Sequence, residues 1–159
     1  MTTLNGLLPA LTGNENVWLF QSNVPQFSIA KTVDALEIGD VGIWYVREHV
    51  DELRGGDLVL LWEEGENAGL YALGTLVGAP YEGEPLEEGG APAKWIRWRL
   101  DATLNPPITK AELREHDVLK GLKHFDRKDA TNLPVDTEQW TALKSMLDTP
   151  SGFEPVLGS

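Results

Sequence analysis

Val17-Trp18-Leu19-Phe20-Gln21-Ser22-Asn23 and, further on, Ile43-Trp44-Tyr45-Val46-Arg47 decide how this chain folds. The first stretch opens with β-branched and aromatic residues, the signature of a buried strand, and ends in small polar side chains. The second is a shorter strand-like run with a Trp just ahead of Arg47 and Glu48. Between them, Ile29, Val33 and Leu36 fall on one face of a helix predicted over Ser28 to Leu36. Strand, polar tip, short helix and second strand make one wall of a cleft. Hydrogen-bonding groups stand at one end of that wall and an aromatic plane at the other.

Outward from this wall, Glu48 to Leu53 reads as a helical turn closed by Gly55-Gly56-Asp57. Leu58 to Trp62 is a continuous apolar strand, Gly65 to Asn67 a hairpin loop, and Gly69 to Val77 the returning strand. Ala79 to Ala93 is rich in Gly, Pro and Glu, and its length predicts a functional or mobile loop. From Lys94 to Leu104, Trp95, Arg97 and Arg99 alternate with Ile96, Trp98 and Leu100, the pattern of a half-buried strand that Pro106-Pro107 should break. Thr109 with Glu112, and Asp136 with Gln139, are capping-box signatures. The second box opens a helix predicted over Thr137 to Leu147. Five or so strands, mostly in hairpins, with short helices at the margins, predict an α+β fold built on a curved sheet or small β-barrel. The domain is expected over residues 17 to 147, after a loose lead-in (1 to 16) and before a tail or linker start (148 to 159).

At 159 residues the chain is long enough to bury a core without staples, and the absence of cysteine excludes a disulfide framework and thiolate zinc sites. Residues 1 to 16 lack a basic start and a long apolar stretch, and no apolar run approaches membrane-spanning length, so a soluble cytoplasmic protein is expected. A net charge of −12 argues against binding nucleic acid through nonspecific phosphate neutralisation. The charge is uneven, however. Gly55 to Ala93 holds eight acidic residues and no basic ones, whereas Lys94 to Lys128 holds nine basic against five acidic, a local +4.

The residues of an active site are missing. His49, His116 and His124 are not at metal-ligand spacing, and there is no phosphate loop, nucleophile elbow or dinucleotide fingerprint. Neither a metal nor a cofactor is expected. The positive signal is six tryptophans. Trp18, Trp98 and Trp140 sit in amphipathic or apolar patterns and belong to a core. Trp95 shares a strand face with Arg97 and Arg99, which suits either stacking on nucleic acid or an exposed cation–π face. Trp44 and Trp62 each end an apolar strand where charges begin, so both are expected at a rim. An aromatic plane beside polar edge groups suits a nucleobase.

Gln21-Ser22-Asn23-x-Pro25-x-Phe27, Trp44-Tyr45-x-Arg47, Gly56-Asp57-x-Val59-x-Leu61-Trp62, Gly69-x-Tyr71-Ala72-x-Gly74 and Thr131-Asn132-x-Pro134-Val135-x-x-Glu138-Gln139-Trp140 together resemble the EVE domain of the PUA-like superfamily. The resemblance implies a PUA-like β-barrel flanked by helices and kinship with YTH domains, which read N6-methyladenine in RNA. It implies a non-enzymatic reader of modified bases, most often modified cytosine in DNA, with DNA favoured over RNA. A nuclease or GTPase is the implied partner domain, as in a modification-dependent restriction system. By the same resemblance Trp44 stacks the base, Ser22, Asn23 and the Tyr45 main chain read its edge, and Arg127 holds phosphate; Arg47, Lys123 and Lys128 are expected to hold phosphate beside it. Gln21 stands where YTH domains have Lys. The second wall of an aromatic cage falls to Trp62, Tyr81 or Phe27. Other readings of the residues are a pocket for a free nucleoside, nucleotide or small metabolite, which the acidic surface favours, and a protein-interaction module built on residues 55 to 93. An RNA methyladenine reader is a further alternative.

Overall fold

A computed structural model describes residues 2–8, 13–21, 29–85, 87–125, 127 and 130–148. Eight strands form one mixed sheet: β1 Thr2–Gly6, β2 Val17–Gln21, β3 Val41–Tyr45, β4 Leu58–Glu63, β5 Gly69–Gly83, β6 Ala93–Thr109, β7 Asn132–Val135 and β8 Leu147–Asp148. The helices are α1 Ile29–Ala35, α2 Lys110–Glu115 and α3 Thr137–Ser145. The strand order is β7-β2-β4-β5-β6-β1-β8, with β3 paired to β6. Most pairs are antiparallel, while β2 runs parallel to β4 and β1 parallel to β8. Both capping boxes form, at α2 and at α3.

Because side chains alternate across a strand, β2 and β4 feed two separate cores. Leu19, Leu58, Leu60 and Trp62 enter one, which is closed by Leu113 of α2, Leu119, and Trp140 and Leu143 of α3. Trp18, Phe20, Val59 and Leu61 enter the other, which is closed by Ile29 and Val33 of α1 and by Trp44 and Val46. Asp57 ties the start of this frame together. Its buried carboxylate accepts from Trp18 Nε1 (2.9 Å), the Arg54 amide (3.1 Å) and the Asn16 amide (3.0 Å).

The second core shows how far the sheet curls. From β2 through β4, β5 and β6 to β3 is four strand spacings, about 19 Å if the sheet were flat. Yet the Phe20 and Trp44 rings lie 5.8 Å apart. The sheet therefore rolls until β2 and β3 face each other. β7 borders β2 on its other side, and among the described residues no strand pairing joins β7 or β2 to β3, so the roll is open at this seam.

Several elements differ from expectation. The lead-in contains β1, which pairs β6 from Thr3↔Asn105 to Gly6↔Ala102. The expected loop over Ala79–Ala93 is shorter than predicted: β5 runs to Gly83 and β6 begins at Ala93, with Tyr81↔Trp95 and Glu82↔Lys94 as cross-strand partners. Gly78 (φ 74°) and Pro80 lie in a bulge between Val77 and Tyr81, so residues that read as loop punctuation bend a strand instead. Pro106-Pro107 likewise falls at a register shift, and pairing resumes at Leu70↔Ile108.

A candidate base-binding mouth

The open seam ends where β2 and β3 finish, and Thr131 bridges the two ends. Its carbonyl accepts from the Gln21 amide (3.0 Å), and its Oγ1 accepts from the Arg47 amide (2.9 Å). Glu48 clamps the same residue, with Oε1 accepting from the Thr131 amide (2.6 Å) and facing Thr131 Oγ1 at 2.9 Å. Asn132, fully buried, returns its Nδ2 to the Glu48 carbonyl and receives Thr131 Oγ1 at 2.7 Å. Gln21 adds two more ties: its buried Nε2 donates to the carbonyls of Arg127 (2.6 Å) and Ala130 (2.7 Å). The mouth is thus a rigid frame of buried, hydrogen-bonded polar groups around the end of the roll.

Trp44 stands inside this frame. It is 5% exposed, and its ring meets Phe20 at 36°. The expected rim position is corrected to the inner wall, because the even residues of β3 face the core. Tyr45 alternates to the outer face, leaving its main chain at the seam, and its ring meets Trp95 edge-on at 5.8 Å. Arg47 lies on the surface with Nε 3.4 Å from Glu48 Oε2. Lys123 and Arg127 are also exposed. Arg127 adjoins the mouth, because its carbonyl accepts from Gln21 Nε2. Ser22, Asn23, Phe27 and Lys128 lie outside the described residues.

Two candidates for a second aromatic wall stand elsewhere. Trp62 is 0% exposed in the opposite core, its ring 4.3 Å from His124 and 6.0 Å from Phe125, its Nε1 donating to Glu64 (2.8 Å). Its position in β4 sends it to the face away from Trp44. Tyr81 lies on the outer face beneath the Arg97 guanidinium, 4.4 Å from its ring centroid. Phe20, part of the apolar run of β2, is an aromatic neighbour of Trp44. Glu48 and Thr131 were missed as a clamp because their partnership spans most of the chain. The Thr131-Asn132-x-Pro134 motif was the available signal.

Among the described residues, His124 titrates far from its ordinary range. Burial, and then the charge of Lys110, lower its pKa to about 3, so it is neutral, and neither ring nitrogen has a hydrogen-bond partner. It faces Trp62 and Phe125 and serves packing. Among the described residues no cluster of three His, Asp or Glu side chains is placed to hold a metal, and no helix is long and apolar enough to cross a membrane.

A rolled, open mixed sheet with helices on its flanks is PUA-like architecture, and solved structures share it. A hypothetical protein from Leishmania major superposes with a TM-score of 0.68 at 20% identity, over 84% of this chain and 94% of its own. Human THYN1, in complex with 5-methylcytosine-containing DNA, gives 0.65 at 15% identity, over 83% of this chain and 97% of its own. A protein from Pseudomonas syringae gives 0.66 at 17% identity, over 82% and 98%. No curated protein matches the sequence. Within the PUA-like class, the chain belongs to the EVE domain family, whose model matches residues 16–146.

Proposed function

We propose that this domain is a non-enzymatic reader of a modified cytosine in DNA, taken out of the stack into the mouth between β2 and β3. The observation that carries the reading is the open seam: a Trp and a Phe face each other across it, and buried polar groups hold its end rigid. Family membership and the DNA complex of THYN1 support it. In this reading Trp44 stacks the base, while Ser22, Asn23 and the Tyr45 main chain read its edge. Arg47, Lys123, Arg127 and Lys128 take the phosphates. Stacking supplies about 1–3 kcal/mol per base and is indifferent to base identity, so discrimination falls to the edge groups. Extrusion from a duplex costs a few kcal/mol, which both terms together must exceed. A cytoplasmic setting and a nuclease or GTPase effector, as in modification-dependent restriction, complete the proposal.

The test is fluorescence anisotropy with one short duplex carrying, in turn, cytosine, 5-methylcytosine, 5-hydroxymethylcytosine or N6-methyladenine. Tighter binding to one modified duplex is expected. Equal or absent binding at low salt would remove the DNA reading. The charge of −12 favours a second reading, a free nucleoside or nucleotide as ligand; it is distinguished by binding that gains nothing from flanking phosphates.

A further inference from the structure

The outer face of the rolled sheet, behind Trp44, carries a second aromatic surface. Strand register aligns three rows across β3, β6 and β5: Tyr45, Trp95 and Tyr81, then Ile43, Arg97 and Val77, then Val41, Arg99 and Thr75. Ile43 and Val41 are 53% and 52% exposed, so apolar surface is left open beside the rings. The Trp95 ring is fixed before any ligand arrives. Its Nε1 donates to the Glu84 carbonyl (2.8 Å), and the Tyr45 edge meets its ring. A Cβ at Gly83 would come within 2.7 Å of Trp95 Cδ1, so the indole lies against bare backbone there. Arg97 stacks on Tyr81, and among the described residues it has no carboxylate within ion-pair distance, whereas Arg99 is paired to Asp101 at 2.8 Å.

We infer that this face is a nucleic-acid surface, on which Tyr45, Trp95 and Tyr81 stack unpaired bases flanking the nucleotide at Trp44 and Arg97 takes their phosphate. The inference rests on the base-reading function proposed above. Three observations favour nucleic acid over a second copy of the chain. Trp95, its N–H already tied to the Glu84 carbonyl, offers a flat plane without desolvating a hydrogen-bonding group, and bases stack on such aromatic side chains in single-strand platforms. An uncompensated guanidinium in a chain of net charge −12 is complementary to phosphate. Tyr45 directly follows Trp44, so a strand leaving the mouth at β3 meets this row first.

The experiment is anisotropy with a single strand of about a dozen nucleotides carrying a central 5-methylcytosine, its flanks either natural or abasic. The wild type is expected to bind the natural flanks about fivefold or more tighter than the abasic ones, one stacked base being worth at least that factor. Trp95→Ala should erase that difference while keeping the preference for 5-methylcytosine over cytosine. Trp95→Phe should retain most of it, and Arg97→Ala should weaken both probes. Equal flank sensitivity in folded Trp95→Ala and wild type overturns the inference. So does a change of sedimentation from dimer to monomer in Trp95→Ala with DNA affinity intact, which would assign the face to a second copy. If the wild type binds neither the single strands nor the modified duplex, the base-reading function falls with it; binding of the duplex without the single strands, or binding that needs Trp44 but ignores Trp95, removes this inference alone.

Discussion

The two cores of this domain are built from alternate residues of the same strands, and they finish differently. On the Trp62 side, α2, α3 and the His124–Phe125 turn cover the sheet, and the indole is sealed between side chains with its N–H satisfied. On the Trp44 side the covering is shorter: one seven-residue helix and the facing strand itself, with a seam where, among the described residues, β3 has no strand partner on its outer edge. Both tryptophans close an apolar strand just before charges. What separates them is the side to which strand alternation turns them, and whether a helix or a seam lies there. In the proposed reading, a ligand reaches Trp44 through the seam, whereas a helical layer closes off Trp62.

The sharpest way to break this comparison is Trp62→Ala. Emptying a sealed site should lower stability by about 3–5 kcal/mol, read from urea midpoints, with the DNA affinity of the folded fraction unchanged. Loss of base preference in that variant would put Trp62 in the site after all. Next comes the clamp. Thr131→Val leaves the Arg47 amide and the Glu48 carboxylate short of partners, so a loss of about 2–3 kcal/mol is expected. It should also weaken binding of modified and unmodified DNA alike, because it loosens the frame rather than an edge contact.

His124 tests the sealed side by pH. Its folded pKa lies below the unfolded value, so its stabilising contribution is fully present above pH 6.5 and fades as pH falls toward about 3. Relative to His124→Leu, the wild type should lose about 2 kcal/mol between pH 7 and pH 4.5. Parallel pH profiles of the two proteins would mean that the imidazole is solvated. The smallest effect is expected at the surface: Lys123→Gln should reduce affinity for every duplex and flatten the salt slope by about one unit.

Much of the fold was legible because its signals are local. The alternation of Trp95, Arg97 and Arg99 with Ile96, Trp98 and Leu100, and the capping boxes at Thr109 and Asp136, each act within a few residues. What escaped was decided by partners far along the chain. Thr2–Gly6 has no period of its own and becomes a strand because β6 offers an edge. Gly78 and Pro80 break a strand by propensity, yet the Tyr81↔Trp95 pairing carries β5 past them. For the candidate site, Trp44 was chosen from its place before Arg47, and the same rule also chose Trp62. Which face a strand-end aromatic takes depends on register and covering layer, and neither is written in its neighbours.

The most direct test of the central claim is a titration of the ¹⁵N-labelled protein, with its indole N–H resonances assigned, by the duplex it prefers. The account predicts that the Trp44 indole resonance shifts with binding while the Trp62 resonance stays in place. A shift at Trp62 with none at Trp44 would contradict it.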